Sequence, residues 1–212
     1  DKNLLLGIET WKDSTVYVGE FKNNKKNGIG MYRWPDGTIY SGEWKNDTME
    51  GYCYIRYEDN RKYEGQMMNG LKHGYGEFTW KSTRKYFGHY LNDLKDGFGI
   101  YIWNIKTFEV YIGFWYKGKM EGIGMTIKDD RKRYGKWSRG EKIEKFKNDR
   151  ELQLKYKSTE FIMATNLINQ RVKVSKDNNQ IVFNNNNLDM FKKRKSIVIE
   201  AKAQIEGCIN FM

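Results

Sequence analysis

A tyrosine with a glycine two residues after it recurs through the first part of the chain at a nearly constant interval. Successive tyrosines are 23, 23, 23 and 25 residues apart, and a Gly-x-Gly pair follows each one, with Cys53 as the single departure. The repeated positions are Tyr17, Gly19, Gly28, Gly30, Tyr40, Gly42, Gly51, Tyr63, Gly65, Gly74, Gly76, Tyr86, Gly88, Gly97, Gly99, Tyr111, Gly113, Gly122 and Gly124. A fixed interval of this length is typical of a chain built from copies of one small supersecondary unit.

Each interval contains two stretches in which apolar and polar residues alternate, which predicts the two strands of a β-hairpin. Between these strands we predict a six-residue polar loop, as at residues 22–27. A tight turn to the next repeat is predicted at Pro35-Asp36-Gly37, with Asn60 in the role of Gly37 one repeat later. Glycines inside strands indicate that aromatic rings lie against bare backbone. The sequence therefore predicts an all-β repeat array, an elongated and twisted antiparallel sheet of stacked β-hairpins.

The array has recognisable ends, and we place its boundary at residue 146. Gly7 and Trp11 stand before Tyr17 as their counterparts do in later repeats, so the chain opens with a partial repeat and we suspect an incomplete N-terminus. Five full repeats follow. Arg133 then stands at a tyrosine position with no Gly-x-Gly pair after it, which indicates a closing half-repeat within residues 1–146.

Residues 147–212 lack the repeat and predict a basic, mainly α-helical extension with an Asn-rich loop. A first helix with Ser158 as its N-cap is indicated by apolar residues at helical spacing, at Phe161, Ala164, Leu167, Ile168 and Val172. The loop covers residues 177–187 with an extended segment at 181–183, and a second helix ends near Gly207. This second helix carries the basic run Lys192, Lys193, Arg194 and Lys195. Packing on the sheet and docking to a partner both remain open for this tail.

Charge and cysteine content limit the kinds of partner and the cellular compartment that this chain can have. A net charge of +11 suggests an acidic partner, without choosing among a phospholipid surface, nucleic acid and an acidic protein groove. Cys53 and Cys208 are the only cysteines and stand 155 residues apart, so the chain has neither a disulfide framework nor a CxxC motif. We therefore expect a reducing, intracellular compartment.

The residue types that catalysis needs are sparse. Only two histidines occur, His73 and His89, which leaves few parts for a His-based triad or a metal cluster. None of the Gly-x-Gly pairs continues into the Gly-Lys-Ser/Thr ending of a phosphate-binding loop. We therefore expect no catalytic residue, no cofactor and no metal. Because the aromatic rings belong to the repeat, we do not expect nucleic-acid binding either.

The Tyr-x-Gly-x-bulky pattern followed by Gly-x-Gly at this interval closely resembles the MORN (membrane occupation and recognition nexus) repeat family, over about residues 1–138. The resemblance implies a non-enzymatic repeat sheet. It also implies roles in junctional, cytoskeletal, ciliary and membrane-associated assemblies, or as an accessory module of lipid kinases and methyltransferases. Phospholipid binding is often proposed for the family, but the repeat residues already have a structural explanation.

Together these observations predict a structural scaffold, a protein–protein interaction subunit of a cytoskeletal assembly in a cilium, its axoneme, or the cell cortex. The predicted contact residues are Met68, Leu91, Phe114 and Tyr116, with the basic run at 192–195, and Met67 is also expected to be exposed. One alternative is a peripheral membrane tether that binds acidic phospholipids through Lys22, Lys25, Lys26, Lys45 and the basic run. Another is an accessory arm of an enzyme whose catalytic domain lies outside this sequence.

Overall fold

In the computed structural model, the described residues are 4–81, 84–104, 106–129, 131–148, 150, 151 and 155, together with the backbone at 172–175 and 180–183. The chain divides into two compact units, with the boundary after Lys81. Each unit is an antiparallel arrangement of strands in which every strand pairs with its neighbour in the chain. The predicted all-β repeat array is confirmed.

The first unit contains seven strands. They are β1 (Leu5–Thr10), β2 (Val16–Lys22), β3 (Lys25–Arg33), β4 (Ile39–Lys45), β5 (Thr48–Arg56), β6 (Lys62–Met68) and β7 (Leu71–Thr79). The second unit contains β8 (Lys85–Leu91), β9 (Leu94–Asn104), β10 (Glu109–Tyr116), β11 (Lys119–Lys128), β12 (Arg131–Ser138) and β13 (Glu141–Phe146), and a separate pair, β14 (Val172–Ser175) and β15 (Gln180–Phe183). β12 and β13 form a complete hairpin, where the sequence indicated only a closing half-repeat.

At the few tail residues that are described, one predicted feature is present and others differ. Arg150, Glu151 and Lys155 are helical, ahead of the predicted N-cap at Ser158. Val172, predicted as the last apolar residue of a helix, begins β14 instead, because it pairs across a hairpin with Phe183. The extended segment predicted at 181–183 lies in β15. The remainder of both predicted helices lies outside the described residues.

Each hairpin closes with a two-residue turn rather than the predicted six-residue loop, because the strands run on through the polar residues. The turn pairs are Asn23-Asn24, Asn46-Asp47, Asn69-Gly70, Asn92-Asp93, Lys117-Gly118 and Arg139-Gly140. Both residues of each pair have positive φ, between 47° and 95°. This is the geometry of a type I′ turn, whose twist matches that of the flanking strands.

The turn between repeats follows the prediction. Gly37 has a φ of 84° and donates its N–H to the Trp34 carbonyl at 3.0 Å. Asn60 has a φ of 66° and donates to the Tyr57 carbonyl at the same distance. Asn60 therefore fills the role of Gly37, as predicted, because asparagine tolerates the left-handed conformation.

We call the surface that carries the repeat tyrosines the seam face. All five repeat tyrosines are completely buried there. Each hydroxyl donates to the backbone carbonyl three residues later, at 2.7 to 3.1 Å. Four of these rings, those of Tyr17, Tyr40, Tyr86 and Tyr111, pack edge-on against a bulky aromatic residue, as Tyr111 does against Trp115 at 5.5 Å and Trp137 at 5.0 Å. Burial raises the pKa of the Tyr40 hydroxyl, which stays a neutral donor.

Two different structural requirements explain the glycines of the repeat. A Cβ atom on Gly76 would lie 2.5 Å from the Tyr63 hydroxyl, and one on Gly65 would lie 2.5 Å from the Gly76 Cα atom. Ring coverage therefore explains these two glycines of the repeat, as predicted. The remaining glycine, for example Gly28 with a φ of 84°, sits where the strand pair has a β-bulge and needs a positive φ.

The other surface of the strands, the opposite face, carries the aliphatic core of the second unit. Its buried members are Ile100, Phe108, Val110, Ile112, Met125 and Ile127. Phe146, the last residue of β13, is also buried and packs against Ile123 and Tyr134. The second unit therefore has apolar packing on both faces of its strands.

Candidate interaction surface

The hairpin turns of each unit lie at one end of its strands, because antiparallel strands that are neighbours in the chain bring every second connection to the same end. We call this surface the turn edge. In the first unit it consists of residues 22–25, 45–48 and 68–71, and in the second unit of residues 91–94, 116–119 and 138–141. The Pro35-Asp36-Gly37 type of turn lies at the other end.

Backbone hydrogen bonds join four of these turns to the hairpin before them. The Gly118 N–H donates to the Lys95 carbonyl at 2.8 Å, and the Gly140 N–H donates to the Met120 carbonyl at 2.9 Å. The first unit has the same bond from Asp47 to the Lys26 carbonyl at 3.0 Å. Turns tied in this way present their side chains in a fixed geometry. A fixed geometry lowers the entropy cost of binding.

Carboxylates reinforce the turn edge. The Arg139 N–H donates to Glu121 Oε2 at 2.8 Å, and the Lys117 N–H donates to Asp96 Oδ2 at 3.2 Å. In the first unit the Asn69 N–H donates to Glu50 Oε2 at 2.9 Å. These acids accept backbone hydrogen bonds, which is a structural role.

Within the first unit, the residues that flank the turns change from basic to apolar along the chain. The first turn is flanked by Lys22 and Lys25 and the second by Lys45 and Thr48. The third, still in the first unit, is flanked by Met68 and Leu71, each 38% exposed.

In the second unit, Leu91 and Leu94 flank a turn as cross-strand partners and are 44% and 47% exposed. Tyr116 precedes the next turn and is 55% exposed. The two turns lie side by side, because a Cβ atom built on Gly118 would lie 4.0 Å from the Leu94 side chain. Large apolar side chains left in water on neighbouring turns are typical of a contact surface.

The predicted contact residues fall into three groups. Met68, Leu91 and Tyr116 lie exposed on the turn edge. Phe114 is half-buried, and its ring packs edge-on against Phe98 at 5.6 Å, so it lies away from this surface. The basic run 192–195 lies outside the described residues.

The exposure predicted for Met67 is wrong, and the prediction missed two residues. Met67 is 6% exposed, because it lies on the seam face opposite Lys72. The two missed residues are Leu71 and Leu94. A six-residue loop, as predicted, would place neither of them opposite a residue of the preceding strand. The available signal was the asparagine that begins the Asn69-Gly70 and Asn92-Asp93 turns, because it indicates a two-residue turn that sets Leu94 directly opposite Leu91.

The acidic residues that follow the first repeat glycine are also structural. Glu43 Oε1 accepts the Tyr52 N–H at 2.9 Å, and Glu20 Oε2 accepts the Ile29 N–H at 2.5 Å. Gln66 makes the equivalent bond to the Tyr75 N–H at 2.9 Å. Each side chain thereby satisfies a donor that the β-bulge leaves without a strand partner. These positions hold the bulge in place.

Two further properties concern the described part of the chain alone. Within it, no three His, Cys, Asp or Glu side chains gather closely enough to ligate a metal ion. Nor does any helix there have the length and apolar character needed to cross a bilayer. Cys53 is fully buried, and burial raises the pKa of its thiol.

Comparison with known proteins agrees with the geometry. The profile of the MORN repeat family matches residues 17–39, 40–60, 63–82, 86–107 and 111–131, which together are 107 of the 212 residues. The search of curated proteins found no match to the chain. Repeats of this family are non-enzymatic modules that bind proteins or membranes. With its matched repeats coinciding with the hairpins, this chain belongs to the MORN repeat family.

Proposed function

We propose that this chain is a non-enzymatic scaffold that binds other proteins of a cytoskeletal assembly, in a cilium or at the cell cortex, through the second-unit turn edge. The observation that carries this proposal is the exposure of Leu91, Leu94 and Tyr116 on two turns that the backbone hydrogen bond from Gly118 to Lys95 joins. Family membership supports the binding role, and the roles that the family resemblance implies support the cytoskeletal setting.

Burial of these three side chains against a partner supplies the driving force. Fully covering a leucine or similar side chain is worth about 1.5 to 3 kcal/mol. Tyrosine adds a hydroxyl that hydrogen-bonds at the rim of an interface, which is why it is enriched in binding hot spots. Because the turn geometry is fixed, ordering this surface on binding costs little conformational entropy.

Crosslinking and affinity capture of the tagged protein from its source cells tests the proposal. We compare the natural chain with the triple variant Leu91→Ser, Leu94→Ser and Tyr116→Ser. We expect proteins of the cilium or cortex in stoichiometric amounts with the natural chain, and at least about tenfold less with the triple variant. The matched control is Lys25→Ser with Lys45→Ser, two exposed turn-edge positions of the first unit, which should keep the partners.

The alternative function is a tether to acidic phospholipids, favoured by the lysines on the first two turns. Lys25 and Lys45 are exposed there. Lys26 is not available for this role, because it is 12% exposed and bonded to Glu9 at 2.7 Å. Two results together would favour the tether over the scaffold. The chain would bind phosphatidylserine vesicles in a salt-sensitive way that the Lys25 and Lys45 variant loses, and affinity capture would recover no stoichiometric protein partner.

A further inference from the structure

One position of the hairpin places a long side chain beneath the aromatic residues of the seam face. It is the second residue of the second strand, paired with the bulky residue of the first strand. Four lysines occupy it, in the pairs Phe21–Lys26, Met67–Lys72, Tyr90–Lys95 and Trp137–Lys142. These lysines share one backbone setting, so differences among them come from their neighbours.

Lys95 is enclosed by three aromatic rings. Its Nζ lies 3.9 Å from the centroid of the Trp115 ring, 4.7 Å from Tyr101 and 5.5 Å from Tyr86. Lys142 has one ring, that of Trp137 at 4.6 Å. Three rings make a half-buried, apolar surround for an amine.

Lys26 has a counterion that Lys95 lacks. Its Nζ lies near the rings of Trp11 and Tyr17, at 4.9 and 5.2 Å, and also bonds to Glu9 Oε2 at 2.7 Å. No carboxylate among the described residues makes such a bond to Lys95. The rings attract the ammonium form of Lys95, while burial with no carboxylate disfavours it.

Burial lowers the pKa of Lys95 from 10.5 to about 8. At pH 7.5, roughly a quarter of such amines are neutral, against about one in a thousand at the ordinary pKa of lysine. Only the neutral amine is a nucleophile, and desolvation in an apolar surround is a known way to activate a lysine.

We propose that Lys95 is an acylation site of this chain, where the amine held over Trp115, Tyr101 and Tyr86 reacts with small acyl thioesters. The neutral Nζ attacks the thioester carbonyl carbon and a C–N bond forms. The C–S bond then breaks, and the leaving sulfur takes up the proton that nitrogen releases, giving an amide and a thiol. The product is uncharged, which removes the cost of burying an unpaired ammonium, and its planar amide can stack on the Trp115 ring.

The test is site-resolved acetylation of the purified full chain by acetyl-coenzyme A, followed by mass spectrometry of its peptides. We expect Lys95 to label at least about tenfold faster than Lys26 at pH 7.5, with the half-maximal rate near pH 8. Exposed Lys119 is the surface reference, and Lys95→Arg should remove this one label alone. A rate at Lys95 no higher than at Lys26, or a half-maximal rate near pH 10, overturns the proposal.

A second variant keeps the test independent of any damage at Lys95. Glu9→Gln removes the counterion of Lys26 at a position that is 43% exposed, so the fold should tolerate it. The amine of Lys26 then resembles that of Lys95, and we expect its labelling to rise at least about threefold. Unchanged labelling of Lys26 in this variant contradicts the argument that a missing counterion is what makes Lys95 reactive.

Discussion

In the first unit, the row of cross-strand partners on the opposite face includes a serine and two glutamates from β4 onward, whereas the same row in the second unit is apolar or aromatic throughout. The first row is Val18, Met31, Ser41, Tyr54, Glu64 and Glu77. The second row is Phe87, Ile100, Ile112, Met125, Tyr134 and Phe146. Both rows run through equivalent positions of the repeat.

The seam face does not differ in this way. Tyr40 and Tyr111, one in each unit, are both fully buried and both donate to the carbonyl three residues on. The glycine two residues after each of these tyrosines leaves no room for a side chain beneath the ring, so the repeat fixes this face. Nothing in the glycine and tyrosine geometry constrains the opposite face. That face therefore diverges between units while the repeat pattern persists.

The largest effect is expected where the opposite face is apolar. Ile112 is completely buried in the aliphatic core of the second unit. Ile112→Ser leaves a cavity and buries a hydroxyl, so it should lower the free energy of unfolding of this unit by about 4 kcal/mol. Hydrogen exchange measured by mass spectrometry reports each unit separately. We expect faster exchange in peptides from β8–β13; a loss below about 1 kcal/mol would show that this core is not close-packed.

A somewhat smaller effect, of the same size in both units, is expected on the seam face. Gly30→Ala and Gly124→Ala each place a methyl group against a buried tyrosine ring, that of Tyr17 or Tyr111. Each should cost about 2 to 3 kcal/mol, because neither the ring nor the partner strand can move freely. Neither Gly30 nor Gly124 has a positive φ, so the cost comes from the steric contact; Gly37→Ala, at a positive φ with open space around it, measures the backbone cost by itself for comparison. Costs that differ by more than about 1 kcal/mol between the two units would break the equivalence of their seam faces.

Loss of the tyrosine hydroxyl is expected to cost less, and again equally in the two units. Tyr40→Phe and Tyr111→Phe keep the ring and leave a half-buried carbonyl, that of Glu43 or Phe114, without its tyrosine donor. About 1 to 2 kcal/mol should be lost in each unit. Tyr116→Phe, at an exposed position, should change stability by less than about 0.5 kcal/mol. A full-sized loss in that control would mean that hydroxyl removal acts through something other than burial.

The seam face could be predicted from the sequence because its constraints are local and periodic. A glycine two residues after Tyr17, repeated at a fixed interval, indicated both the hairpins and the ring coverage. Asn60 could be assigned to a turn for the same reason. The first Gly-x-Gly glycine was assigned to ring coverage as well, because a β-bulge leaves no separate mark in the alternation of residues.

The turn edge and the tail could be predicted less well. The loop length was overestimated because polar residues in a strand look like loop residues, although their partners across the turn keep them in the sheet. Val172 fits a helical spacing as well as a short strand, and its pairing with Phe183 decides the matter. The cross-strand partner of a residue is set by tertiary structure, and the spacing of apolar residues in the sequence does not reveal it.

The smallest effect should come from the polar row of the first unit, at the position equivalent to Ile112. Ser41 is 3% exposed, and its Oγ has no hydrogen-bond partner among the described residues. Ser41→Ala removes this unsatisfied hydroxyl, so the stability of the first unit should stay unchanged or rise by up to about 1 kcal/mol, read from exchange in peptides of β3–β5. A loss instead would mean that the hydroxyl is bonded, and that the polar row is a hydrogen-bonded network rather than a relaxed counterpart of the second unit's core.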